Sequence, residues 1–356
     1  MRINPAMIAL GRESRGWTQA QLGKAIGVTK PTVCKYELGL LSAERDIQRI
    51  ADVLDYHPVF FTFETRIFGL GGDFLYRKRA HVSASVKRRV QAEINIVRMQ
   101  CERLLASADV SHELPFPAIQ PEERSGRIEQ IAREVRSAWK LRPGPISNVT
   151  TLIENAGAVI IPMDFGTLAI DGTNMRMPGA PPLLFLNRLA PGDRHRWNTA
   201  HELGHSVMHF GQTFGDAENE ANRFASEFLM PKKDIRADLA NIDLPAAARL
   251  KAVWGVSMAA LIRRARDLNA ITDSTYRRLF TVLSANEMRM QEPFPIQFEQ
   301  PTAFERLKEV HRRDIGLDDS EMRNLLFTDQ LGPLDARRSP KLRISDGDLF
   351  NDPSDS

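Results

Sequence analysis

His201-Glu202-Leu203-Gly204-His205 constrains its own backbone. Two histidines four apart on an α-helix project from one face, so their imidazole nitrogens can converge on a single tetrahedral zinc ion. Glu202, one position on, is placed to take a proton from water activated by the metal, which makes a nucleophile for an amide carbonyl. Such a site needs a third protein ligand. The segment from Glu218 to Pro231 supplies a second helix with acids at its start. Glu218 shares a small apolar face with Ala221, Ala225 and Leu229, a face that can lie close against the first helix. Glu220 aligns instead with Phe224 and Glu227 and is the alternative ligand. Two acids at a helix start also serve as ordinary dipole partners. Asn222 is placed to accept the outer N–H of a ligating histidine. His209 continues the four-residue series and reads as a structural or substrate-side residue. His112-Glu113 opens like the same motif but lacks the second histidine and runs into Pro115.

The N-terminal seventy residues carry a different pattern. In Trp17-Thr18-Gln19 through Glu37-Leu38-Gly39 the spacing predicts a helix from Thr18, a tight turn at Gly27 and a second helix from Thr29, with Thr18 and Thr29 as N-caps. Gly23 offers a small residue where the second helix must cross closely. Further helices are expected over residues 4–15 and 42–54. All are too short to stand alone, so they must bundle around Ile8, Leu22, Ile26, Val28, Val33, Ile47, Ile50 and Leu54. Lys30, Pro31, Thr32 and Lys35 then occupy the outward N-terminal face of the second helix, within reach of major-groove edges or flanking phosphates. Gln19 is placed to hold a phosphate, a contact that positions without reading sequence.

With 356 residues the chain exceeds one typical domain. The expected division is residues 1–70, a DNA-binding bundle; 71–123, a helical linker region; 124–285, the zinc-peptidase-like domain; 286–336, a helical extension; and 337–356, a disordered tail rich in Arg, Asp, Ser and Pro. Gly69, Gly71 and Gly72 mark the first joint. Strands are expected over 158–163 and 183–187, with a third over 168–170, and helices over 124–141, 197–210, 218–230, 232–240, 246–254, 257–268 and 272–283. The fold class is therefore mainly α with a small β-sheet (α+β). Residues 252–268 imitate a second helix-turn-helix around Trp254-Gly255-Val256-Ser257, but are expected to pack against the peptidase. A net charge of +3 says little about nucleic acid. The run Arg77, Lys78, Arg79, Lys87, Arg88, Arg89, Arg98 and Arg103 is more skewed, and reads first as a solvated helix face and second as a phosphate-contacting strip. No leader-like or membrane-length apolar stretch is present, and two cysteines, Cys34 and Cys101, make no disulfide framework, so the cytoplasm is the expected compartment.

Over residues 3–61 the features Thr18-Gln19, Leu22, Gly27-Val28, Val33, Glu37 and Gly39 resemble the phage-repressor-like (XRE or Cro/C1-type) helix-turn-helix family. Residues 125–231 resemble the ImmA/IrrE metallopeptidase family through Arg196-Trp197-Asn198-Thr199-Ala200 before the zinc motif, His209 after it, the apolar run 183–187 and the segment Glu218 to Pro231. The resemblance implies a regulator that binds double-stranded operator DNA, as a homodimer, and holds Zn2+ for cleavage of a repressor-like protein. The residues alone leave open a second reading, a non-catalytic regulator whose zinc is structural or sensory.

Overall fold

The computed structural model describes residues 2–68, 82–106, 114–176, 180–209, 216–285 and 292–328. In chain order the helices are α1 (Pro5–Ser14), α2 (Gln19–Ile26), α3 (Lys30–Glu37), α4 (Ile47–Leu54), α5 (Ala84–Ala106), α6 (Ile128–Ala138), α7 (Val149–Asn155), α8 (Gly192–Met208), α9 (Ala217–Leu229), α10 (Lys232–Ile235), α11 (Leu244–Trp254), α12 (Met258–Asp267), α13 (Asp273–Ala285), α14 (Ala303–Val310) and α15 (Asp319–Leu326). Three strands, β1 (Val159–Met163), β2 (Gly172–Met175) and β3 (Leu183–Asn187), lie between α7 and α8. The protein is mainly α with one small sheet. No helix among the described residues is long and apolar enough to cross a membrane. The described residues divide into two compact units, one of residues 2–68, 82–106 and 310–328, the other of residues 114–176, 180–209, 216–285 and 292–309.

In the first unit local chemistry sets each helix end. Asn4 caps α1 with Pro5 at its first position, and Thr18 and Gln21 form a reciprocal capping box on α2. Gly27, at φ +75°, ends α2 in the left-handed conformation glycine adopts without strain. A Cβ on Gly23 would sit 2.7 Å from the Val28 carbonyl oxygen, so only glycine allows the turn into α3 to close that tightly. Glu37 ties three helices together. It accepts from Arg12 at 2.6 and 3.1 Å and from Gln19 Nε2 at 2.8 Å, and the two-toothed arginine pairing fixes geometry as well as charge. The helix expected from Ser42 begins only at Ile47. Ser42 Oγ accepts locally from the Glu44 N–H, and the buried Asp46 carboxylate receives the Tyr36 hydroxyl and the Arg49 guanidinium, so the intervening residues turn rather than wind.

The helix α5 belongs to this same bundle. Ala92, Ile96 and Met99 share a core with Leu22, Ile50, Leu54, Phe60 and Phe61, and Phe327, just after α15, closes it. Phe327 meets Phe60 edge-on at 5.7 Å and Phe63 at 5.0 Å, and its carbonyl accepts the His57 N–H at 3.1 Å. The basic run on α5 is accordingly not a uniform solvated face. Arg98 is 2% exposed, donates to the Arg66 carbonyl and Glu102, and lies over the Phe68 ring; Arg103 lies over Phe327; Arg89 pairs with Glu93. Arg77, Lys78 and Arg79 lie outside the described residues, as does the tail expected over 337–356.

In the second unit β3 is central, parallel to β1 (Val159 opposite Leu183) and antiparallel to β2 (Gly172 opposite Leu186, Asn174 opposite Leu184). The third strand forms at Gly172–Met175 rather than at 168–170. There Leu168 is 42% exposed, and Asn187 Nδ2 donates to the carbonyls of Thr167 and Ile170, which holds the stretch as a turn. One apolar core joins α6, α7, the sheet, α8, α9, α11 and α12, through residues such as Ile131, Ile153, Leu184, Leu203, Phe228 and Leu261. The 252–268 stretch that imitates a second helix-turn-helix packs in this core through Trp254, Val256, Leu261 and Ala265, with Arg264 of α12 reaching Glu227 of α9 and the Met230 carbonyl. Both cysteines are free.

Candidate metal centre and DNA-reading face

Helix α8 starts at Gly192, five residues before the sequence periodicity suggests. A Cβ there would meet the carbonyl oxygens of Ile296 and Gln297, so the stretch 292–303 can lie directly on the helix start. That stretch is held by carboxylates. Glu299 accepts from Arg196 and the Thr150 N–H, Glu292 from Lys251 and the Met258 N–H, and Glu154 from the Thr302 and Ala303 N–H groups. Arg196 also donates to the Ile146 carbonyl, and Asn198 to Asp171. The Arg196–Ala200 segment thereby sets the position of the helix that carries the histidines.

Farther along α8, Ala200, Leu203 and Val207 face the core while His201 and His205 share another side. At Gly204 helix α9 comes close, with Phe224 ring atoms 3.0–3.2 Å from where a Cβ would stand. This approach brings Glu218 to the two imidazoles. His205 Nε2 lies 3.1 Å from His201 Nε2 and 2.9 Å from Glu218 Oε1, and His201 Nε2 lies 3.5 Å from the same oxygen. The edges of a tetrahedron of nitrogen and oxygen ligands around zinc are about 3.3 Å long, from bonds of about 2.0–2.1 Å. The donor set and its spacing fit that ion. Burial raises the pKa of the Glu218 carboxyl, but hydrogen bonds and charge from His201 and His205 outweigh it and hold the carboxyl well below its usual range.

Glu220, two residues on, does not join this group. Its Oε2 lies 2.9 Å from His209 Nε2, and His209 Nδ1 lies 2.9 Å from His205 Nδ1. Asn222 does not meet an imidazole either; its Nδ2 donates to the Glu218 carbonyl at 2.7 Å.

Glu202 is 5% exposed and points toward the sheet. Asn174 Nδ2 donates to Glu202 Oε2 at 2.8 Å, and a Cβ on Gly172 would stand 3.2 Å from Oε1. The two-residue period of β2 puts both positions on the face that overlies α8. Burial pushes the Glu202 carboxyl up to about 7, against the opposing pull of His205 and the Asn174 hydrogen bond. A carboxyl poised there exchanges protons readily near neutral pH. Neither Asn174 nor Gly172 carries a motif, and only pairing of β2 with β3 brings them here.

On the first unit Lys30, Pro31 and Lys35 of α3 are exposed and Thr32 is half-buried, its hydroxyl 3.0 Å from that of the N-cap Thr29. Gln19 is half-buried, with its amide engaged by Glu37. Lys30 thus stands outward at the start of the second helix of the pair and Lys35 in its last turn, while Gln19 is held at the start of the first.

The fold and these two regions define a helix-turn-helix DNA-binding domain joined in one chain to a metallopeptidase-like domain. Residues 8–61 match the helix-turn-helix family model HTH_3, and residues 153–266 match Peptidase_M78, the IrrE N-terminal-like domain. The chain is thus a fusion of an XRE-type helix-turn-helix with an IrrE-like domain. No curated protein matches it.

Proposed function

We propose that the protein is a homodimeric transcriptional regulator, acting on operator DNA in the cytoplasm, whose second domain is a zinc endopeptidase that cleaves a repressor-like protein. The observation that carries the peptidase half is the convergence of His201, His205 and Glu218 beside a buried Glu202 whose carboxyl is raised toward neutrality. His201 and His205 through Nε2 and Glu218 through Oε1 are the groups that would hold zinc. When bound, the ion polarises a carbonyl and lowers the pKa of water. Glu202, its Oε2 held by Asn174, takes the proton of the attacking water and returns it to the leaving amide nitrogen. Incubating the full chain with candidate helix-turn-helix repressors should give fragments, followed by mass spectrometry, that a zinc chelator suppresses. Absence of any zinc-dependent fragment under inducing conditions withdraws cleavage and leaves a regulator with a structural or sensory metal.

For the DNA half, Lys30 and Lys35 carry charge outward from α3 and Thr32 stands at its first turn. The triple variant Lys30→Ala, Thr32→Ala, Lys35→Ala should weaken operator binding by about 1–3 kcal/mol for each contact to a base edge, and weaken all sequences alike for each contact to phosphate. A salt series separates the two, because phosphate contacts set the salt slope. Zinc content should be unchanged. Wild-type affinity and salt slope in the triple variant would remove α3 from recognition.

A further inference from the structure

His209 and Glu220 take no part in the ligand cluster, yet both are aimed at it through another side chain. His209 stands at the C-terminal end of α8, its side chain 5% exposed, and Glu220 in the first turn of α9. The histidine series 201, 205, 209 along α8 is met from α9 by two acids, Glu218 at His205 and Glu220 at His209. Between the two Nδ1 atoms of His205 and His209, 2.9 Å apart, there is room for a single hydrogen. A His205 that uses Nε2 as ligand carries its ring proton on Nδ1 and must donate it. His209 then accepts through Nδ1, keeps its own proton on Nε2, and donates to Glu220, a carboxylate that only accepts. The direction of the whole chain is fixed from its carboxylate end.

We propose that Glu220 and His209 form a two-member relay that orients His205 and fixes the tautomer in which it binds zinc. Glu220 is a positioning residue of the metal centre and not its third ligand. The relay rests on the reading of His201, His205 and Glu218 as the zinc site. It serves one ligand only, since the Nδ1 of His201 is buried with no hydrogen-bond partner among the described residues. A ligating imidazole whose outer N–H is held by an acceptor is both aimed and made more basic, and that acceptor is ordinarily a carboxylate, carbonyl or water. Here a second imidazole, one helical turn farther along α8, is interposed, which lets an acid of α9 do the holding.

The test uses the full chain, titrated with zinc in competition with a chromophoric chelator. His209→Phe and Glu220→Ala should each weaken zinc binding about 10–100-fold, the usual loss for an outer partner of a ligand. His209→Gln should stay near wild type, because its amide can accept from His205 and donate to Glu220. In zinc-loaded wild type labelled with 15N-histidine, a scalar coupling across the hydrogen bond should join the Nδ1 atoms of His205 and His209, a signature that mere packing does not produce. Should His209→Phe fail to fold, Glu220→Ala and the coupling decide. Unchanged zinc affinity in the variants, or a zinc-loaded wild type without the coupling, overturns the relay and leaves the metal reading standing. A wild type that binds no zinc removes both together.

Discussion

With Glu202→Gln the protein should keep its zinc, its fold and its operator affinity while cleavage falls by roughly 10²–10⁴-fold, the usual contribution of a general base. Glutamine keeps the size of the side chain and can still bond to water, but it cannot take the proton. Fragment yield measured beside zinc content and DNA affinity separates the roles in one substitution, and equal cleavage by both proteins would move the base elsewhere. A pH signature accompanies it in the metal-free chain. Burial raises the Glu202 carboxyl from its ordinary 4.5 to about 7, so between these values the folded protein keeps a proton that the unfolded chain has released. Stability from this group is full below pH 4.5 and falls as pH rises through 7, by about 3 kcal/mol. Glu202→Gln has no such proton to lose. Its stability should not show that decline, and denaturant melts of metal-free wild type and variant at pH 5 and pH 8 check this; parallel pH dependence would place the carboxyl in an ordinary environment.

The second large effect concerns the metal itself. Elemental analysis should find one zinc per chain, and His201→Ala, His205→Ala or Glu218→Ala should each weaken it by more than the roughly 10–100-fold that loss of an outer partner costs. Three protein ligands are the set of a catalytic zinc site, so removing one leaves too few to hold the ion. Full zinc retention in Glu218→Ala together with loss in Glu220→Ala would transfer the third ligand to Glu220.

How much of this could be read from the sequence depended on how local the cause was. Thr18, Gly27 and Thr29 act within a few residues of themselves, and α2 and α3 follow them closely. His201 and His205 are four apart on one helix, and their convergence is a property of that helix. Glu218 needed only the small face of α9, which Gly204 lets come near. Asn174 was illegible for the opposite reason. It sits in a four-residue strand whose place is set by pairing with β3, and it meets Glu202 across 28 positions of chain. The true start of α8 depends on a carbonyl row more than a hundred residues downstream, and α4 starts late because Asp46 binds Tyr36 and Arg49 instead of extending the turn. His209 was visible as a fourth-residue repeat, but its partner Glu220 could not be told from a ligand by spacing alone.

The aromatic closure by Phe327 makes the order of synthesis matter. The ribosome releases the residues of α1 through α4 early, but the ring that seals their core, and the carbonyl that takes up the His57 N–H, arrive some two hundred and sixty residues later. At ordinary elongation rates that interval is on the order of ten to fifty seconds. Until it ends, Phe60 and Phe63 lack the Phe327 ring and the bundle is unsealed. A nascent chain therefore completes the apolar core of its helix-turn-helix bundle only after the whole metallopeptidase-like domain has been translated.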